Sequence, residues 1–211
     1  MYTDVSLLGL NVMLKVWGRP DSSNVAKVMW TIGELGLPYE RVDLGGKFGG
    51  NDDPAYRSKN PHGRIPTLED GDAVLWESNA IVRYLAGRYG SGLLPADLAE
   101  RAASDRWMDW CSITLVPSLK SLRDRHRAGG DTKALLDDVC AMVSTLDASL
   151  AETDFIAGDA LTVGDIALGA QVHRWVELDI GKPDFPHVVA YRDRLLERPA
   201  FVEHVAKPVK L

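Results

Sequence analysis

Apolar residues recur along this chain in two rhythms, and the change from one to the other divides it. Val12 to Trp17 is a short apolar and β-branched run closed by Gly18, which predicts a buried strand. From Ser22 to Leu35, residues Val25, Val28, Met29, Ile32 and Leu35 keep one helical face apolar, and Gly36 stops the helix. Tyr39 to Leu44 predicts a second strand. Such a βαβ unit pairs its strands in parallel through a right-handed crossover. A loop rich in Gly, Asn and Asp spans Gly45 to Asp53, with at most a short helix around Pro54 to Ser58. Ile65 to Trp76 predicts a β-hairpin turning at Asp70-Gly71. Ile81, Tyr84 and Leu85 then return to helical spacing.

Past Arg88 the sequence Tyr-Gly-Ser-Gly-Leu-Leu-Pro is a link, and everything beyond it is helical in pattern. Asp97 to Arg127 is one long stretch carrying Trp107, Trp110, Ile113, Leu115, Leu119 and Leu122, with a kink expected at Pro117. Leu135 to Leu150 keeps a clear apolar face. Thr162 and Asp165 then form a capping box, with Leu161 and Ile166 placed as a hydrophobic staple. The small and apolar run from Ala167 to Ala170 and Val172 predicts a helix buried on most sides. His187 to Glu197 gives a last sizeable helix. The boundaries that follow are an α/β domain over 13–88, a linker over 89–96 and an all-helical domain over 97–211. Residues 1–12 are a mildly apolar extension or an extra strand.

With 211 residues, 45% hydrophobic and 26% charged, the chain has ample material for a core. A net charge of −6 gives no basic face for nucleic acid. The cluster Arg123-Asp124-Arg125-His126-Arg127 reads as dipole-compensating charge at a helix end. Two cysteines, Cys111 and Cys140, make no disulfide framework and no metal-ligand set, so a reducing cytoplasmic compartment and no metal are expected. No apolar run reaches the ~20 residues of a membrane span, and the first residues lack the signature of a signal peptide.

Three places carry candidate chemistry. Glu77-Ser78 stands where a strand hands over to a helix start, whose free N–H groups favour anions. Such a corner suits a zwitterion, with Glu77 taking an ammonium and Ser78 a carboxylate; taken alone, Ser78 is equally an ordinary N-cap. Arg19-Pro20-Asp21-Ser22-Ser23-Asn24 brings hydroxyls to the first helix start, where they serve as caps or as donors to a thiolate. Asn60-Pro61-His62-Gly63-Arg64-Ile65-Pro66 leads into the hairpin.

The βαβ-ββα order, the Ile65-Pro66 step, Glu77-Ser78-Asn79-Ala80-Ile81 and the Thr162-x-x-Asp165 box together resemble the cytosolic glutathione transferases, over nearly the whole chain from Met13 onward. The resemblance implies a thioredoxin-like N-terminal domain, an all-helical C-terminal domain, a homodimer, a role in detoxification and glutathione as cosubstrate. It implies a cis Pro66, with Ile65 pairing to the cysteinyl backbone and Glu77 and Ser78 holding the γ-glutamyl end. No Tyr stands in the first strand and no Cys at the first helix turn, so the pattern is similar to the Ser-type theta, zeta and nu classes. Ser22 then falls at the catalytic position, Asn24 approaches the sulfur, and Ser23 is the competing hydroxyl. Asp105 matches an Asp that reaches the neighbouring subunit's glutathione amine. Lys47 is placed at the glycyl carboxylate, although its Gly-rich loop departs from the family patterns.

The electrophile pocket is expected against the Asp97 helix and between the domains, walled by Trp110, Ile113 and Thr114, with Trp17 and Arg19 on the opposite rim; Trp110 and Ile113 read equally well as core. The activity implied is conjugation of the glutathione thiolate to a hydrophobic electrophile. The alternatives are a glutathione-dependent isomerase, a peroxide or disulfide reductase on the same site, and a non-catalytic interaction module of the same fold.

Overall fold

The computed structural model describes residues 13–90 and 92–207 and separates into two compact units, Met1–Tyr89 and Gly90–Leu211. The apolar stretch before Met13 lies outside the described residues.

In the first unit β1 (Leu14–Trp17), α1 (Ser23–Leu35) and β2 (Tyr39–Val42) form the βαβ unit. A 3-10 turn (Gly46–Phe48) and the four-residue α2 (Pro54–Arg57) follow. β3 (Thr67–Asp70), β4 (Ala73–Trp76) and α3 (Ser78–Tyr89) complete it. The sheet order is β2-β1-β3-β4, with β1 and β2 parallel and the remaining pairs antiparallel. Leu14 and Val16 of β1 and Leu68 of β3 are buried, as are Val25, Val28, Ile32, Ile81, Val82 and Leu85 from α1 and α3. Period-2 strands and period-3.6 helices thus supply one core. The hairpin turns one residue later than its Asp-Gly dipeptide suggests. Asp70 stays in β3, and Gly71, at φ 59°, and Asp72 make the turn. The reason is that Asp70 is held as a strand residue by its side chain. Its carboxylate Oδ2 accepts from the hydroxyls of Tyr84 at 2.9 Å and Tyr89 at 2.8 Å and pairs with Arg88 Nε at 3.1 Å.

The second unit is all helical, with α4 (Leu98–Trp110), α5 (Val116–Arg127), α6 (Lys133–Leu150), α7 (Val163–Val176), α8 (Pro186–Leu196) and α9 (Pro199–His204). The break expected at Pro117 begins earlier. Residues Cys111–Leu115 form a π-type turn, and Val116 N–H bonds the Cys111 carbonyl. Proline lacks an N–H and its ring crowds the carbonyl four residues back, here on Ile113; the wider turn takes that carbonyl out of register before the proline is reached. The predicted burial of the helix after Thr162 holds, since Val163 to His173 are all buried. Its Asp165 is fully buried and accepts from Thr162 N–H at 2.7 Å, Ile156 N–H at 2.9 Å, and the hydroxyls of Thr162 at 3.0 Å and Tyr191 at 2.9 Å.

The end of this unit carries two buried histidines, His173 and His204. His173 Nε2 lies 3.3 Å from the Lys207 carbonyl, and its ring meets Phe201 edge-on. Burial depresses the pKa of His173 and of His204 below 6.5. A depressed histidine gives stability that is complete above the unfolded pKa and is lost as pH falls through the folded one. Melting temperature is therefore expected to fall between pH 7.5 and pH 5.5, and His173→Gln to flatten that fall, as measured by thermal denaturation across the range.

Candidate active site

The candidate residues of the first unit are brought to one end of its sheet by two helix starts and two loops. Ser22 caps α1, accepting a long 3.4 Å bond from Val25 N–H. An accepting cap leaves the hydroxyl proton available to a ligand. Capping and thiolate donation are therefore compatible in one residue. Ser23 is the first helical residue, and Asn24, one position on, is exposed.

Glu77 and Ser78 open α3 differently from a plain cap. Ser78 is already inside the helix and buried, and its hydroxyl donates to Asn24 Oδ1 at 3.3 Å. The residue before it, Glu77, has φ 70°. That left-handed conformation costs a non-glycine residue about 1–3 kcal/mol and concentrates at binding sites. Glu77 presents an exposed carboxylate with no hydrogen-bond partner among the described residues, next to the free N–H groups of α3. Negative charge beside a helix start beside neutral donors is an arrangement for an α-amino acid group.

The loop before β3 supplies the stretch between these ends. The Ile65–Pro66 peptide is cis. Its position is fixed by buried polar groups: Tyr56 hydroxyl donates to the Arg64 carbonyl at 2.5 Å and bonds Thr67 Oγ1 at 2.8 Å, and Asn60 Nδ2 donates to the same carbonyl at 2.8 Å. Asn51 Nδ2 donates to the Gly63 carbonyl at 2.6 Å, tying in the Gly-rich loop. Gly18 lets these parts meet. A Cβ there would collide with Val25 Cγ2 and stand 3.3 Å from Ile65 Cβ, so only glycine allows the α1 start and Ile65 to approach this closely.

Lys47 is exposed and lies over the Phe48 ring at 4.9 Å. Arg19 crosses Gly46, where a Cβ would be 2.9 Å from its Cδ, and pairs with Asp21 at 2.8 Å. Burial works against the Asp21 carboxylate, but its pKa falls below the ordinary value because Arg19 bonds it. Trp17 is held by a bond to Glu69, and the ammonium groups of Lys15 and Lys59 lie 5.3 and 5.8 Å from its ring centroid. Arg64, directly before Ile65, belongs to no motif that marks it in the sequence. Its backbone is pinned and its exposed guanidinium has no partner among the described residues. Direct adjacency to Ile65 was the available signal.

In the second unit Asp105 is half-buried on α4. Trp110 meets Trp107 edge-on at 5.3 Å, and Thr114 is half-buried. Ile113 is 76% exposed, which rules out its alternative role as core. Among the described residues no group of three or more His, Cys, Asp or Glu is arranged to hold a metal, and no helix is long and apolar enough to cross a membrane.

Comparison with known proteins shows the family to which the chain is similar. The family model described as glutathione S-transferase, N-terminal domain, matches residues 12–87, and the corresponding C-terminal domain matches 113–199. Glutathione S-transferase GstB of Escherichia coli strain K12 is 38% identical over 209 residues, covering 93% of this chain and all of that protein. Glutathione S-transferase 3 of Zea mays is 34% identical, covering 92% of this chain and 93% of its own. The crystal structure of the theta class glutathione S-transferase from Xanthomonas axonopodis pv. citri with glutathione bound superposes with a TM-score of 0.89 at 42% identity, over 94% of this chain and 100% of that one.

Proposed function

The chain belongs to the glutathione S-transferase family, and on that premise we propose that it conjugates the glutathione thiolate to a hydrophobic electrophile, using the site built on its first unit. The observation that carries this reading is the Asn24–Ser78 hydrogen bond. It joins two helix starts whose combined chemistry suits a small peptide with a thiol at its middle and an amino acid group at one end. Glu77 takes the γ-glutamyl ammonium, and Ser78 and the α3 start take its carboxylate. The Ile65 backbone pairs with the cysteinyl residue. Ser22 donates to the sulfur, and Asn24 approaches it through its amide nitrogen, because its oxygen is engaged by Ser78. At the glycyl end we place Arg64 beside Lys47, since it directly precedes Ile65 and its side chain is exposed.

Trp110, Ile113 and Thr114 line the electrophile pocket in this reading. Asp105 reaches the glutathione amine of the other subunit in a homodimer, and the outward Val74 and Trp76 of edge strand β4 offer apolar surface for that pairing. The helical domain begins at residue 97 after the linker over 89–96. The setting is cytoplasmic and the role detoxification, without a metal.

Titration with glutathione, followed by ultraviolet absorbance of the thiolate and by turnover of chlorodinitrobenzene, tests the reading. A thiolate band at neutral pH with turnover is expected. No binding at millimolar glutathione would favour a non-catalytic module of this fold. Within the site, Glu77→Gln and Glu77→Gly are both expected to weaken glutathione binding about tenfold through loss of a charge-assisted bond. Only the glycine variant also relieves the φ 70° backbone, so it is expected to keep the wild-type melting temperature or exceed it.

A further inference from the structure

Lys27 is buried, at 4% exposure, on the face of α1 that meets α3. Its ammonium donates to Asn79 Oδ1 at 2.8 Å. Asn24 precedes it by three positions, on the same side of the helix, and accepts from Ser78. Two neighbours on one helix therefore grip two consecutive residues of the other. The rungs are unequal. Asn24 is exposed and its bond is long, whereas Lys27 is buried and its bond is short. Bonds to a charged donor in such surroundings are the stronger kind. Burying an ammonium is costly, and an apolar side chain would fill the same helix face at no such cost.

We propose that Lys27 is a positioning residue for glutathione: through Asn79 it holds the first turn of α3, and with it Ser78, at the distance from Ser22 that the tripeptide must span. The proposal rests on the glutathione reading of this site. Ser22 serves the sulfur and Ser78 the γ-glutamyl carboxylate, so the α1–α3 rungs set the separation of the two ends. Asn24 is itself at the sulfur and accepts from Ser78 only weakly. The task of fixing Ser78 then falls to the neighbouring Lys27–Asn79 bond.

The test compares two thiols, glutathione and cysteinylglycine, which lacks the γ-glutamyl group. For Lys27→Met, glutathione affinity is expected to fall about tenfold while cysteinylglycine affinity is unchanged. Asn79→Ala, which removes the other partner and keeps the lysine, is expected to do the same. The double variant is expected to be no worse than either single one, because both remove one interaction. Lys27→Arg is expected to recover most of the loss. Equal losses for both thiols, or additive losses in the double variant, would overturn the proposal and leave Lys27 a packing residue. If Lys27→Met does not fold, Asn79→Ala with the two thiols decides alone. Wild-type protein that binds neither thiol overturns the glutathione reading and this proposal together. Wild-type protein that binds glutathione, with variants that bind it equally well, overturns this proposal only.

Discussion

Ser22→Ala is expected to lower turnover of chlorodinitrobenzene by roughly 10- to 100-fold and to raise the apparent pKa of bound glutathione toward that of a free thiol, with the fold intact. A free thiol titrates near pH ~8.5 and is only a few per cent ionised at neutrality. Lowering that value by about two units takes ~2.7 kcal/mol of selective stabilisation of the thiolate. A charge-assisted hydrogen bond contributes about 1.5–3 kcal/mol. A helix start contributes about 0.3–1 kcal/mol, rising to ~2 when partly buried. On the proposed mechanism these ranges make the Ser22 hydroxyl the largest expected contributor, with Asn24 and the α1 start supplying the remainder. Losing its long cap bond costs about 1 kcal/mol of stability, which leaves the protein folded. The same titration on Ser23→Ala and Asn24→Ala apportions the work. If Ser22→Ala kept the thiolate band and either of the others lost it, the catalytic hydroxyl or amide would lie elsewhere on this turn.

Asp165→Ala is expected to have the largest effect on stability, a loss of about 3–5 kcal/mol read from denaturant unfolding. The Asp165 carboxylate is wholly buried, and burial pushes its pKa above the ordinary range even though four donors oppose the shift. Removing it strands the N–H groups of Ile156 and Thr162 and the Tyr191 hydroxyl away from water. Each orphaned group costs about 1–3 kcal/mol. Folded domains are typically stable by only about 5–15 kcal/mol, so this variant is expected to accumulate poorly at 37 °C. Since Asp165 lies in the helical unit and takes no part in the proposed thiol chemistry, whatever fraction does fold is expected to show unchanged thiolate absorbance with glutathione. A loss under 1 kcal/mol would mean that water reaches these donors once the carboxylate is gone.

Asp165 also shows which parts of this protein its sequence makes legible. A capping box is written in four consecutive residues, so Thr162-Val163-Gly164-Asp165 announces its helix without any knowledge of the fold. That the same carboxylate also gathers Ile156 and Tyr191 is not written locally, because Tyr191 comes from α8, 26 positions away. The break before α5 is a similar case. Pro117 announces a defect, but the i to i+5 bond that absorbs it forms upstream, where the sequence Cys-Ser-Ile-Thr-Leu carries no warning.

The sequence by itself determined the order of elements, the change from mixed to helical architecture near residue 90, and the residue types at each end of the candidate site. Those follow from periodicity, caps and turn chemistry, which act over a few positions. Only the tertiary structure decided how the ends are joined. The bonds from Asn24 to Ser78 and from Lys27 to Asn79 span 54 and 52 positions, and the approach of Gly18 to Ile65 depends on space left by a missing side chain. Glu77 needed it too: a glutamate is read from the sequence as an ordinary residue, and its φ of 70° at the junction of β4 and α3 is seen only in the folded chain. Helical and strand patterns arise from each residue's exchange with water, whereas pairings between distant side chains exist only once packing has brought the two helices together.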